Sequence, residues 1–317
     1  LELLHFWTTN SCSAFVDFSC ITLFQTTIVQ LAFTHRFLLH EVLSLAAIHL
    51  SRLQISSSEA AKYRHASSIH LASSLNLFQS AVSNLSAENC HACFAFSTMI
   101  FMHCWAAQDT SKPSTLFFTP KDFDGTEEEN WEWVKLHRGA YTILQNHWLV
   151  ISTGPLKPLF APWTVLDFHR PDSMNEVEAM ELDKLSLAWK SPSSRLSLNQ
   201  REHLDEALEK LKKLFSMLDF NAKISKLSVV MTWFLIIPGG YLTMLKEKIP
   251  EAMLLVTFYC VLLKRLDHVW WVAGKAENLL RTVVTELENT NEWRRWLQWP
   301  VEQIMGKPVK WVDYWKS

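Results

Sequence analysis

Between Asn89 and Gln108 the chain carries no Asp, Glu, Lys or Arg. A stretch of that length without charge either crosses a bilayer or lies inside a fold. Asn89, His91, His103 and Gln108 cut its apolar centre well below the roughly 20 residues that a span requires. The reading is therefore a buried helix, apolar nearly all round, at the centre of a larger assembly and not a transmembrane segment. What surrounds it must bury it from every side.

Helical periodicity runs through the rest of the chain. In Phe37-Leu38-Leu39-His40-Glu41-Val42-Leu43-Ser44-Leu45, apolar residues recur at three- and four-residue steps. Ser56-Ser57-Ser58-Glu59 reads as a capping box opening a helix towards Ser80, and Thr126 to Glu129 as a second, leading through Trp131, Trp133, Leu136, Tyr141 and Leu144. Charged amphipathic helices are expected over Met174 to Trp189 and Asn199 to Leu218. A strongly apolar one is expected over Lys223 to Ile237, stopped by Pro238-Gly239-Gly240. Pro250 suits a first helical turn, with a helix from Ala252 to Leu266, another over Val272 to Leu287, and a short one from Asn291. Ser111 to Gly125 reads as a loop, and Gly154 with Pro155, Pro158 and Pro162 as an irregular connection reaching about Pro171. No segment reads as a strand. Only 7 glycines in 317 residues argues against sheets joined by tight turns and against glycine-rich phosphate loops. The expected fold is all-α, one helical domain over residues 1–317 with a possible break near 152–171.

Composition narrows the functional classes. Hydrophobic residues make up 49% of the chain, enough for a sizeable core, and 15 tryptophans imply wide, flat apolar surfaces within it. A net charge of -2 excludes a broadly basic nucleic-acid surface. The scattered cysteines (Cys12, Cys20, Cys90, Cys93, Cys104 and Cys260) suit buried thiols in a reducing compartment. Cys90-His91-Ala92-Cys93 with His103 and Cys104 invites a zinc reading. His103 lies about 15 Å along a helix from Cys93, too far for ligands about 2.3 Å from one ion. Around Asp122-Phe123-Asp124-Gly125 the glycine falls at the wrong position for a calcium loop, and the acidic residues read as a helix start. His49 and His70 read as satisfied core or boundary residues. The motifs of hydrolases and dinucleotide enzymes are absent, so no residue is assigned a catalytic role and none a metal.

The best pocket candidate is an aromatic series with one aliphatic neighbour: Trp233, Phe234, Tyr241, Phe258, Tyr259, Leu262, His268, Trp270 and Trp271. Rings around a slot suit a flat, rigid apolar molecule, with His268 or Tyr259 as the polar partner for a hydroxyl. Trp270 and Trp271 are adjacent, so on a helix they point about 100° apart. One is expected to face the ligand, the other to pack against Trp296 or Trp299. An apolar helical interior also suits terpene cyclisation. Its paired aspartates are missing, and the nearest acidic cluster (Asp172, Glu176, Glu178, Glu181 and Asp183) reads as a solvated face.

Three stretches carry a resemblance to a known family. The first is Phe33-Thr34-His35-Arg36-Phe37-Leu38-Leu39-His40, continuing through Leu45-Ala46-Ala47-Ile48-His49-Leu50, with the opening Leu1-Glu2-Leu3-Leu4-His5-Phe6. The second is Trp133-Val134-Lys135-Leu136-His137-Arg138-Gly139-Ala140. The third is Leu262-Leu263-Lys264-Arg265-Leu266-Asp267-His268-Val269-Trp270-Trp271, followed by Trp296-Leu297-Gln298-Trp299-Pro300. In this order they resemble the regulatory region of fungal zinc-cluster (Zn2Cys6) transcription factors, of the sterol-uptake-control branch. The resemblance implies a ligand-sensing helical domain in the nucleus, a homodimer that holds an apolar small molecule such as a sterol. The cysteines here lack the family's compact zinc-cluster spacing. Zinc and DNA binding are therefore expected only of a portion upstream of Leu1. The alternatives are a stand-alone lipid-binding protein or a terpene-cyclase-like enzyme.

Overall fold

The computed structural model describes residues 1–108, 127–160, 174–191, 194–220, 225–287 and 292–306. Among them there is no strand, and the all-α expectation holds. The helices are α1 (Glu2–Phe6), α2 (Cys12–Phe15), α3 (Ile28–Thr34), α4 (Arg36–Leu53), α5 (Ser57–Ser83), α6 (Cys90–Ala107), α7 (Glu127–Asn146) and α8 (Trp148–Thr153). The second half continues with α9 (Glu176–Leu185), α10 (Leu187–Lys190), α11 (Leu198–Phe220), α12 (Lys226–Ile236), α13 (Gly239–Lys246), α14 (Pro250–Lys264), α15 (Lys275–Leu287) and α16 (Arg294–Met305).

The uncharged run forms α6, and nearly all of it is buried. It is long and apolar enough to cross a membrane, but 78% of it lies inside the fold. α4, α3 and α7 pack around it. α14 does the same for the C-terminal half: every residue from Glu251 to Leu263 is buried, against α15, α16 and α11. Both helices belong to one apolar core that runs from Trp7 to Ile304.

Local signals set many boundaries. The Ser56 side chain accepts a hydrogen bond from the Glu59 amide, as the capping box requires. Pro250 occupies the first turn of α14. Where α4 meets α5, small residues let the backbones approach: Ser44 Oγ donates to the Ser67 carbonyl and Ser67 Oγ to that of Ser44, both at 2.9 Å. The second capping box begins at Thr126, outside the described residues, although α7 starts beside it at Glu127. The Ser111–Gly125 loop and the 161–171 part of the connection also lie outside them.

One expectation is extended and one needs correction. The apolar helix α12 ends at Ile236, before Pro238-Gly239-Gly240, as expected. Pro238 caps a new one, α13, set at 86° to α12. Gly240 gives room there to the His203 ring, which a Cβ would meet at 2.1 Å and push aside. The Trp270-Trp271 pair lies in a run of turns between α14 and α15 and not on a helix. Gly274 ends that run with φ +76°, and its amide donates to Asp267 Oδ1 at 2.8 Å. α15 accordingly starts at Lys275, later than the expected Val272.

Candidate functional site

α12 is apolar on most of its circumference, and its two faces have different surroundings. Leu227, Ser228, Met231, Thr232 and Leu235 recur at helical spacing and line a cavity of about 290 Å³. Opposite them, α6 presents Phe94, Thr98, Phe101 and Met102. α7 adds His137, Tyr141 and Leu144, again at three- and four-residue steps. The N-terminal turn closes one side with Val16, Asp17, Cys20 and Phe24, and Trp148, Leu159 and Phe160 close another. Trp148 and Tyr141 are the large lining side chains most exposed to solvent among the described residues. The lining is mostly aliphatic and aromatic with a few polar groups, the usual make-up of a small-molecule pocket.

The polar groups are held firmly. Asp17 Oδ2 accepts from Ser225 Oγ at 2.6 Å and from the Leu227 amide at 3.0 Å. Ser225 in turn caps α12, accepting from the Ser228 amide. A carboxylate therefore sits at the N-terminus of α12, where the helix dipole favours it. The other end of α12 receives cations. Arg138 donates to the carbonyls of Phe234 and Ile237 at 3.2 and 2.8 Å, and Lys210 to that of Ile236 at 2.5 Å. Thr98 and Thr232 turn their hydroxyls back onto their own helices.

His137 is the most constrained polar group in the wall. Its Nε2–H donates to the Met231 carbonyl at 3.2 Å, and its ring lies 4.3 Å from that of Phe101. Burial is the main cause that pushes its pKa down to about 4, so the ring is neutral near neutral pH. With the proton on Nε2, Nδ1 is a bare acceptor. It is buried and has no hydrogen-bond partner among the described residues.

None of the residues singled out from the aromatic series lines this cavity. Trp233, Phe234, Tyr241 and Tyr259 come together one layer behind it. Trp233 stacks on Tyr259 at 4.5 Å, and Phe234 meets Tyr259 edge-on at 4.9 Å. The Tyr241 hydroxyl donates to the Ala252 carbonyl at 3.0 Å. Tyr259 Oη is buried without a partner among the described residues. Phe258 stacks on Trp299, Leu262 is fully buried, and His268 is exposed. Trp271 packs against Phe15, Phe101 and Trp105, and its Nε1 donates to the Phe15 carbonyl at 3.2 Å. Trp270 stacks on His49. The ring partners of the pair thus lie in the N-terminal segment, α4 and α6, and not at Trp296 or Trp299. The missed signal was the alternation within α12: Leu227, Met231 and Leu235 with Ser228 and Thr232 form a mixed face on an otherwise apolar helix.

Among the described residues no group of three or more His, Cys, Asp or Glu is placed to hold a metal. The six cysteines are free thiols. Burial pushes the Cys93 thiol up to about 12. His91 is occupied by the Val150 carbonyl at 3.1 Å.

No family model matches the chain. Over 317 residues it is 23% identical to a fungal-type Zn(2)-C6 transcription factor of Gibberella zeae, a match covering 95% of this chain and 61% of that protein. Over 121 residues it is 31% identical to sterol uptake control protein 2 of Candida albicans, covering 38% of this chain and 15% of that one. The chain therefore spans less than two thirds of the length of either relative. Both lie in the family that Phe33–Leu50, Trp133–Ala140 and the double tryptophan resemble, and the similarity of this chain, along almost all of its length, is to the fungal Zn(2)-C6 transcription factors.

Proposed function

We propose that this chain is the ligand-sensing regulatory region of a fungal transcription factor. It would take an apolar small molecule, a sterol or a lipid of similar shape, into the cavity between α6, α7 and α12. The observation that carries this reading is the way the cavity is assembled. Its walls come from the N-terminal turn, α6, α7, the segment after α8, and α12. A ligand that fills it is packed by all of them at once and so favours the arrangement in which they meet. Such differential affinity is what a regulatory domain needs. The relatives support the regulatory role, and the second, a sterol uptake control protein, supports a connection with sterols. DNA contact, zinc binding and nuclear residence belong in this proposal to the whole protein, of which the chain is one part, acting as a homodimer.

A fluorescent sterol titrated into the purified chain tests the reading. Saturable binding is expected, with the sterol recovered unchanged. Met231→Trp fills the cavity from α12 and is expected to abolish that binding while the chain stays helical. Binding that Met231→Trp leaves untouched would move the site elsewhere, and conversion of the lipid to a product would favour an enzyme.

A further inference from the structure

The open face of α12 is the one turned to the cavity. Apart from the exposed Lys226, the residues of that helix that keep open surface are Ser228, Thr232, Leu235 and Ile236, and all four line the cavity. Thr232 turns its hydroxyl back onto the Ser228 carbonyl. The Ser228 hydroxyl has no partner among the described residues and is not fully buried, so it is open to whatever fills the cavity. Asp17 stands beside it. Its Oδ2 lies 3.0 Å from the Leu227 amide, one residue before Ser228, and 2.6 Å from Ser225 Oγ, which also receives the Ser228 amide at 3.0 Å. Asp17 Oδ1 has no partner among the described residues and is likewise not fully buried. One end of the cavity thus offers a carboxylate oxygen and a hydroxyl, both unspent. Among the described residues no lysine or arginine lines the cavity, and His137 is neutral, so no side-chain cation in the wall balances Asp17.

Resting on the lipid-sensing reading above, we propose that Asp17 and Ser228 form the polar end of the cavity and determine its specificity: they take an apolar ligand whose head group donates hydrogen bonds, an ammonium ahead of a hydroxyl, and turn away ethers and carboxylates. An ammonium meets Oδ1 through a charge-assisted hydrogen bond, the stronger kind. A hydroxyl donates to Oδ1 and accepts from Ser228 Oγ. An ether can only accept, so it leaves the Asp17 oxygen stripped of water and unpaired. A carboxylate meets like charge. Sites built around a hydrogen bond discriminate strongly against ligands that lack it. From the usual worth of a hydrogen bond to a charged group, donor heads should bind about ten- to hundredfold more tightly than ethers.

The test uses matched probes on two frames: cholesterol with its 3β-amine and its methyl ether, and 1-dodecanol with dodecylamine, dodecyl methyl ether and dodecanoate. Each competes at neutral pH with a fluorescent sterol bound to the chain. The order expected on each frame is amine, then alcohol, then ether, with dodecanoate no better than the ether. Asp17→Asn can keep both capping bonds through its carbonyl oxygen while placing an amide NH2 where Oδ1 stood. It should lose the preference for amine and alcohol over ether. Ser228→Ala should weaken the alcohol and leave the amine ahead. If Asp17→Asn fails to fold, the order in the parent chain and in Ser228→Ala decides. Ether bound as tightly as amine and alcohol by the parent chain, or an order unchanged in the folded variants, would overturn the roles of Asp17 and Ser228 and leave the lipid-sensing reading standing. If the fluorescent sterol does not bind, or no competitor displaces it, the lipid-sensing reading fails, and this inference with it.

Discussion

Glu41 is an acidic side chain on α4, buried against Ser74 of α5, which donates to its Oε2 at 3.3 Å. Oε1 has no partner among the described residues. Burial raises its pKa from 4.5 to about 8, so the folded chain keeps a proton that the unfolded chain releases earlier. The stability contributed by the protonated carboxyl is present below about pH 4.5 and is lost as pH rises through about 8. Glu41→Gln imitates the protonated carboxyl at every pH. Its stability relative to the parent should therefore grow between about pH 5 and pH 9, by on the order of a few kcal/mol, as measured by urea denaturation of both proteins across that range. The tryptophan pair gives a second residue-scale expectation. Trp271 is 2% exposed and enclosed by rings, so Trp271→Ala should cost about 3–5 kcal/mol, a large part of a typical stability of about 5–15 kcal/mol. Trp270 is only half-buried, and its indole N–H has no partner among the described residues, so Trp270→Ala should cost less. Melting temperatures of the two variants check the order. The sequence makes it clear that adjacent tryptophans face different surroundings. It does not reveal that those surroundings are Phe15 and His49, because no local pattern links positions so far apart in the chain.

Among the helices, those whose ends are set by neighbouring residues are legible beforehand. Ser56 with Glu59 marks the start of α5, and Pro250 that of α14, because cap and first turn lie within a few residues of each other. The uncharged run gives α6 and its central place for a different reason: most of that helix is apolar and none of it is charged. α13 escapes such reading. Pro-Gly-Gly is locally a breaker, and only the His203 ring beside Gly240 explains the glycine inside a helix. Gly239 has nothing within 4 Å of a modest side chain. Gly240→Ala should therefore destabilise the chain by about 1–3 kcal/mol, whereas Gly239→Ala should be nearly neutral, a contrast that paired thermal melts resolve. The cavity face of α12 was readable in principle from the Ser and Thr among its aliphatic residues. Large rings drew the assignment instead to Trp233 and Phe234, which face the opposite way into solid core. The Arg138-Gly139 motif owes its arginine to this geometry, since the guanidinium reaches across from α7 to the last carbonyls of α12.

At the level of the whole molecule, a near-neutral surface suits a sensing region better than a DNA-binding one. A gel shift of the chain alone, at moderate salt and with any duplex, should show no sequence-selective complex, because the phosphate backbone demands a concentration of Lys and Arg that a net charge of -2 does not supply. The architecture also has a consequence for how the chain comes into being. Trp7, Phe15 and Phe24 are synthesised long before the segments that cover them, yet they are buried in the finished core. Asp17 is separated from Ser225 by 208 positions, and the Phe15 carbonyl from the Trp271 indole by 256. At a synthesis rate of about 5–20 residues per second, the N-terminal turn waits about 10–50 seconds for the segments that cover it. During that interval an aromatic segment is uncovered while α4, α5 and α6 already have one another. The nascent protein is thus most open to chaperones and proteases before α12 emerges, and the cavity, walled on one side by the first turn and on the other by α12, is among the last features to form.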